Sequence, residues 1–318
     1  DFTAFDGEIK IKTDVSKNRS RPCAVDELEL TPTFDKEPFF VGKPEGGKCM
    51  SLKMIAMDLD GTLLDEEKNI APEDAAAVKD AVAAGYYVTL ATGRMYRSAL
   101  PYAQELGLTH PLVVYNGALI RDPGTGENLG QWPLPLDVAQ SVLDDLLGRG
   151  IYVQAYVDDT LWAPRDCEEV RFYSRFSRVP YEIKTEAIRH LPQAPHKLLV
   201  ISDQVRTLRP ELEEKYRGKI KIVSSSKGFL EVTAPGTNKW HALQALAARE
   251  GIREEEILCV GDSDNDLEMI SHAGFGVAMG NASDPVREAA RVVTAPNTRN
   301  GVARIIRTIL TRQVEVPV

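Results

Sequence analysis

From Lys53 onward the chain alternates short apolar runs with longer amphipathic stretches, and the runs stop on acidic or hydroxyl residues. Met54-Ile55-Ala56-Met57 stops on Asp58, Tyr87-Val88-Thr89-Leu90-Ala91 on Thr92, and Ile257-Leu258-Cys259-Val260 on Gly261-Asp262. Uncharged runs of four or five residues are what strands covered on both faces of a parallel sheet require. Pro111-Leu112-Val113-Val114-Tyr115, breaking at Asn116-Gly117, reads as a third strand of that sheet, and 276–279 as a later one. Pro72-Glu73-Asp74 opens a helix reaching Ala84, with Gly85 as its stop. Further helices are predicted toward Leu106 and over 239–250, 266–271, 285–290 and 302–310. Strands and helices in alternation predict an α/β fold, a doubly wound parallel sheet.

Within residues 134–233 the pattern shifts to hairpin-spaced strands mixed with helices, with a tight turn at Asp158-Asp159. This predicts an α+β cap inserted into a core of residues 51–133 and 234–318. Residues 1–50 differ again: polar, carrying Pro22, Pro32, Pro38 and Pro44, with no sustained helical period. They read as an N-terminal extension, an arm or leader with little core of its own.

A net charge of −9 argues against a nucleic-acid polymer as partner, which would want clustered Lys and Arg. It leaves room for a phosphorylated small molecule, because one metal ion and a few donors reverse the field locally. The cysteines, Cys23, Cys49, Cys167 and Cys259, form no Cys-x-x-Cys pair and suggest no disulfide framework. No stretch approaches the ~20 apolar residues of a membrane helix, so no membrane partner is expected and the expected location is cytoplasmic. Oligomeric state is left open.

Ligands of a doubly wound sheet bind beyond the carboxyl ends of its strands. Asp58-Leu59-Asp60-Gly61-Thr62-Leu63, Thr92-Gly93-Arg94 and Gly261-Asp262-Ser263-Asp264-Asn265-Asp266 all fall at such ends. A lone Asp-x-Asp is common in turns and caps, but three clusters on one edge call for a cation. Asp58, Asp262 and the main-chain carbonyl of Asp60 suit a small hard ion such as Mg²⁺. Asp58 would then attack phosphorus, and Asp60, two residues on, would serve as acid and then base. Thr92 and the N–H groups of Leu59 and Gly93 would hold phosphate oxygens, and Lys239, at the start of a predicted helix, would add positive charge.

These segments, Asp58-x-Asp60-Gly61-Thr62-Leu63, Thr92-Gly93-Arg94, Lys239 and Gly261-Asp262-x-x-Asn265-Asp266, resemble in order the four motifs of the haloacid dehalogenase superfamily. The place of the insert, its α+β pattern and Asn116-Gly117-Ala118 resemble the Cof-type phosphatases; the likeness spans about residues 53–313. The resemblance implies Asp58 as nucleophile and Mg²⁺ ligand, Asp60 as acid/base and carbonyl ligand, and Asp262 as the remaining ligand. It implies Thr92 and Lys239 as the phosphate-binding pair, and Asn265 and Asp266 as residues that touch phosphate or support the metal. Arg94 is expected to brace its loop, Asp264 to be solvated, and His190, His196 and His272 to be structural. Trp240 stands where the family usually has Gly, and is expected to narrow the site or pack against the cap.

The expected activity is hydrolysis of small phosphomonoesters, sugar phosphates or nucleotide-like compounds. A phosphosugar mutase and a non-catalytic phosphate-ligand sensor are the alternatives. Tyr156, Asp158, Trp162 and Arg165 are the cap residues read as candidates for the substrate pocket.

Overall fold

The computed structural model describes residues 52–224 and 228–311, so the predicted extension, residues 1–50, lies outside the described residues. The elements in chain order are β1 (Met54–Met57), α1 (Pro72–Ala83), β2 (Tyr87–Leu90), α2 (Tyr96–Glu105), β3 (Leu112–Val114), β4 (Leu119–Arg121) and β5 (Asn128–Gln131). Then come α3 (Leu136–Gly148), β6 (Val153–Val157), β7 (Thr160–Ala163), α4 (Glu168–Ser177), β8 (Tyr181–Ile183), β9 (Leu198–Ile201), α5 (Val205–Lys215), β10 (Lys221–Val223) and β11 (Phe229–Thr233). The chain ends through α6 (Lys239–Arg249), β12 (Ile257–Gly261), α7 (Leu267–His272), β13 (Phe275–Ala278), α8 (Asp284–Ala289), β14 (Val292–Val293) and α9 (Gly301–Thr311).

Five strands form a parallel sheet in the order β14-β13-β12-β1-β2. Period-two alternation explains the apolar runs: Ile55 and Met57 pack toward α1, α2 and α9, whereas Met54 and Ala56 pack toward α6 and α7. From β1 the chain moves outward to β2, and later from β12 outward the other way. The strand order therefore reverses between β1 and β12, which opens a crevice at their carboxyl ends.

The run at 111–115 departs from expectation. It becomes β3, tied to the end of β2 by a single parallel bridge, Ala91–Val113, and it pairs antiparallel with β4, which pairs with β5. The left-handed conformations of Tyr115, Asn116 and Gly117 turn the chain back there.

A six-stranded sheet, β10-β11-β9-β6-β7-β8, is built from residues 153–233 and is antiparallel except between β7 and β8. One face, with Val153, Ala155, Leu198, Val200, Leu230 and Val232, is covered by α3 and α5. The other, with Leu199 and Phe229, is covered by α4 and turns toward the carboxyl edge of the parallel sheet. Among the described residues, no helix is long and apolar enough to cross a membrane.

Asp74 of α1 is wholly buried and accepts the Ala303 N–H of α9 at 2.6 Å. Its second oxygen has no partner among the described residues. Burial raises its pKa from 3.8 to about 6, against the pull of the Ala303 hydrogen bond. The folded state therefore binds this proton more tightly, so the stability it brings is present below pH 4 and lost as pH rises through 6. Asp74→Asn keeps the acceptor and removes the titration. Relative to wild type, the variant should gain about 2.5 kcal/mol between pH 4 and pH 7, measured as paired urea midpoints. Parallel stability curves would refute this.

Candidate active site

Asp58 follows β1 and Asp262 follows β12, and these strands are direct neighbours in register. The Asp58 N–H donates to the Val260 carbonyl at 3.0 Å. The chain then winds tightly, the Leu59 carbonyl accepting the N–H groups of Thr62, Leu63 and Leu64. Gly61 sits at φ +80° with its Cα pressed on Asp262; a Cβ there would lie 2.3 Å from an Asp262 oxygen. Only glycine allows that approach. The Thr62 hydroxyl donates to Asp262 Oδ1 at 3.0 Å, tying the two strand ends together.

Oxygens of Asp58, Asp262 and Asp266 all lie within 4.8 Å of one another. Lys239, fully buried as the first residue of α6, reaches Asp58 Oδ1 at 2.8 Å and Asp266 Oδ1 at 2.6 Å. That helix is capped by the Asn238 side chain, which accepts the His241 N–H at 2.7 Å. The Asn238 carbonyl lies so close to Gly117 that a Cβ there would approach it to 2.1 Å, which seats α6 against the Asn116 turn. Asp266 Oδ2 accepts the N–H groups of Asp262 and Ser263 at 3.0 and 3.1 Å. Both oxygens of Asp266 are therefore engaged, and its carboxylate brackets the loop after β12.

One ammonium does not balance three carboxylates. Burial pushes Asp58 well above the ordinary carboxylate range, with Lys239 opposing. Burial also raises Asp262, and the charges of Asp58 and Asp266 raise it further. For Lys239, burial works against the charge but Asp266 and Asp58 outweigh it, so the lysine stays charged. The pocket is short of positive charge at Asp58 and Asp262, where a divalent cation with oxygen ligands fits.

Asp60 points elsewhere. Its carboxylate takes Arg94 Nε at 2.7 Å, Arg94 Nη2 at 2.8 Å and Lys68 Nζ at 2.9 Å. Burial works against its charge, but the two cations prevail and hold its pKa at about 2. Arg94 also donates to the Ser98 hydroxyl at 3.1 Å, and Ser98 donates to the Ser177 carbonyl at the end of α4 at 2.6 Å. The Thr92 hydroxyl oxygen accepts the Arg94 N–H at 3.2 Å.

Asp58, Asp60, Thr92, Gly93, Asp262 and Asn265 line one cavity of about 90 Å³. Lys239 and Asp266 stand behind Asp58, and the Leu59 side chain is buried in the apolar core beside it. The wall opposite the carboxylates comes from the second sheet and α4: Lys197, Glu231, Tyr173, Phe176 and Phe229. Sequence reading missed these five. Their available signal is alternation: Lys197, just before β9, is in phase with Leu199 of β9, and Phe229 and Glu231 share a face of β11.

None of Tyr156, Asp158, Trp162 and Arg165 lines that cavity. Tyr156 is closed into a ladder with Gln154 and Tyr152, Trp162 lies under Lys184, and Arg165 borders a separate groove. Trp240 neither narrows the cavity nor meets the second sheet. It packs under the parallel sheet, stacked on His272 at 6.0 Å. His196, with neither ring nitrogen hydrogen-bonded among the described residues, stacks on Tyr115 at 5.0 Å.

A sequence model of the haloacid dehalogenase-like hydrolases matches residues 55–306. The chain is 33% identical to a 5-amino-6-(5-phospho-D-ribitylamino)uracil phosphatase of Bacillus subtilis, over 82% of this chain and 99% of that one. A haloacid dehalogenase-like hydrolase from Bacteroides thetaiotaomicron superposes with a TM-score of 0.76 at 28% identity, covering 81% of this chain and 99% of that one. A sugar phosphatase of haloacid dehalogenase subclass IIB shares the fold, with a TM-score of 0.73 at 24% identity over 82% of this chain and 100% of that one.

Proposed function

This chain belongs to the haloacid dehalogenase-like hydrolases as a Cof-type phosphatase, and we propose that it is a Mg²⁺-dependent hydrolase of small phosphomonoesters working through an aspartyl-phosphate on Asp58. The observation that carries the reading is the charge-deficient cluster of Asp58, Asp262 and Asp266 around Lys239, open to a cavity on the Thr92 side. The Bacillus relative's named substrate is a small phosphorylated metabolite, which suggests the substrate class.

Asp58, Asp262 and the Asp60 carbonyl would hold Mg²⁺. Bound there, the ion would neutralise the carboxylates and the phosphoryl oxygens. Asp58 attacks phosphorus, the ester P–O bond breaks, and the alcohol leaves with a proton. Water then attacks the aspartyl-phosphate, yielding its proton to a base and returning Asp58 as a carboxylate. Thr92, the Leu59 and Gly93 N–H groups, Asn265 and Lys239 hold the phosphoryl oxygens. Asp266 supports them by fixing Lys239 and the loop carrying Asp262.

Asp60 is the proton carrier in this scheme, which requires a movement. Against Arg94 and Lys68 it stays ionised and cannot donate. Turning toward Asp58 releases it from both cations, and its proton affinity rises as it does so.

A panel of phosphomonoesters supplied with Mg²⁺ tests the function. Phosphate release from at least one ester, abolished by EDTA and restored by Mg²⁺, is the expected result. Release that persists in EDTA, or none from any ester, would count against it.

A further inference from the structure

Lys197 and Glu231 are among the most deeply buried charged groups of the chain, at 1% and 4% exposure, and both come from the second sheet. Lys197 immediately precedes β9, and Glu231 lies in β11 opposite Leu199 of β9. They form an ion pair at 3.0 Å. Lys197 Nζ also donates to the Gly93 carbonyl at 2.7 Å and lies 4.9 Å from the centre of the Tyr156 ring. Glu231 accepts from the Asn116 amide, whose oxygen accepts from Asn265 at 3.0 Å. The pair thus touches the Gly93 loop directly and the Asn265 loop through Asn116, the two loops that flank Asp58.

Stability alone does not account for such a pair. A buried ion pair is no better, and often worse, than apolar residues of the same volume. The opposite faces of β9 and β11 carry Leu198, Val200, Leu230 and Val232 at equal depth. Charge is kept only on the face turned to the cavity. The cavity is shared: Asp58, Thr92 and Asp262 line one side, and Lys197, Glu231, Tyr173, Phe176 and Phe229 line the rest. A phosphoryl group held at Asp58 therefore presents its leaving group to that second wall.

We infer that Lys197 and Glu231 are the specificity-determining pair for the leaving group, an inference that rests on the phosphatase reading above. An ammonium 3.0 Å from a carboxylate complements an acceptor beside a donor, such as neighbouring hydroxyls or an amide-like edge. The aromatic wall takes the carbon face of the same group. The substrate class is a phosphomonoester of a polar alcohol with paired donor and acceptor; a plain aryl ester lacks the pair. A site built to hydrogen-bond a substrate penalises an analogue without those groups.

The test compares kcat/KM for glucose 6-phosphate, ribose 5-phosphate and pyridoxal 5′-phosphate with that for p-nitrophenyl phosphate. The measured quantity is the ratio of the best polar ester to the aryl ester, in wild type, Lys197→Met, Glu231→Gln and the double variant Lys197→Met/Glu231→Leu. The double variant strands no charge and reads the pair even where a single variant fails to fold. The ratio is expected to fall about tenfold or more in the folded variants, carried mainly by KM for the polar ester. A ratio within threefold of wild type in the folded double variant overturns the assignment. Failure of wild type to cleave any ester with Mg²⁺ would instead refute the phosphatase reading.

Discussion

Lys239→Met should cost about 3–5 kcal/mol of stability in metal-free buffer at pH 7.5, a large loss for a change that nearly preserves side-chain volume. Among the described residues, the lysine is the one cation paired with Asp58 and Asp266, and all three side chains are almost wholly buried. Removing one partner of a buried pair leaves uncompensated charge, which is where the large penalties arise. The loss should shrink toward pH 5, because Asp58, whose pKa burial raises, can then take a proton and shed one stranded charge. Urea unfolding at the two pH values measures both effects. A loss below about 1 kcal/mol, or one independent of pH, would mean that Lys239 is not the counter-charge of this cluster.

Asp58→Asn should behave in the opposite way. Turnover should fall by about 10⁴-fold or more, as expected when a nucleophile is removed from residues that act together. Folding should be no weaker, and in metal-free buffer stronger, because a buried carboxylate that repels Asp262 is gone. Phosphate release and urea midpoints on the same preparation give the comparison. A variant that loses activity because it unfolds, or that keeps more than about a hundredth of the activity, contradicts the assigned role of Asp58.

Much of this was legible in the sequence because the parallel sheet writes itself locally. A strand buried on both faces must be an uncharged run, so the first polar residue after Met57, Leu90 or Val260 marks its end. Those ends bring Asp58, Thr92 and Asp262 to one edge. The 111–115 run looked the same and became β3 at the margin, because the Tyr115–Gly117 turn reverses the chain, a matter of backbone conformation rather than hydrophobicity. The half-exposed Asn128–Gln131 strand has a single apolar side chain, Leu129, too little for an alternating signal.

The wall facing the carboxylates was hidden for a different reason. Lys197 and Glu231 are 34 residues apart and meet only because β9 and β11 pair antiparallel. Nor does sequence spacing show that Asp60 faces Arg94 and Lys68, since the turn after β1 sets that direction. Trp240 occupies a position where a small residue was expected, yet its helix directs it into the core beneath the sheet rather than into the cavity.

The account turns on a covalent bond to Asp58. Acid quench during turnover, borohydride reduction and peptide mass analysis would locate that bond, since an acyl phosphate is reduced to the alcohol and its parent aspartate becomes homoserine. Homoserine at position 58, formed only with substrate and Mg²⁺ and absent from Asp58→Asn, is the predicted result. Homoserine at another position, or none while phosphate is being released, would contradict it.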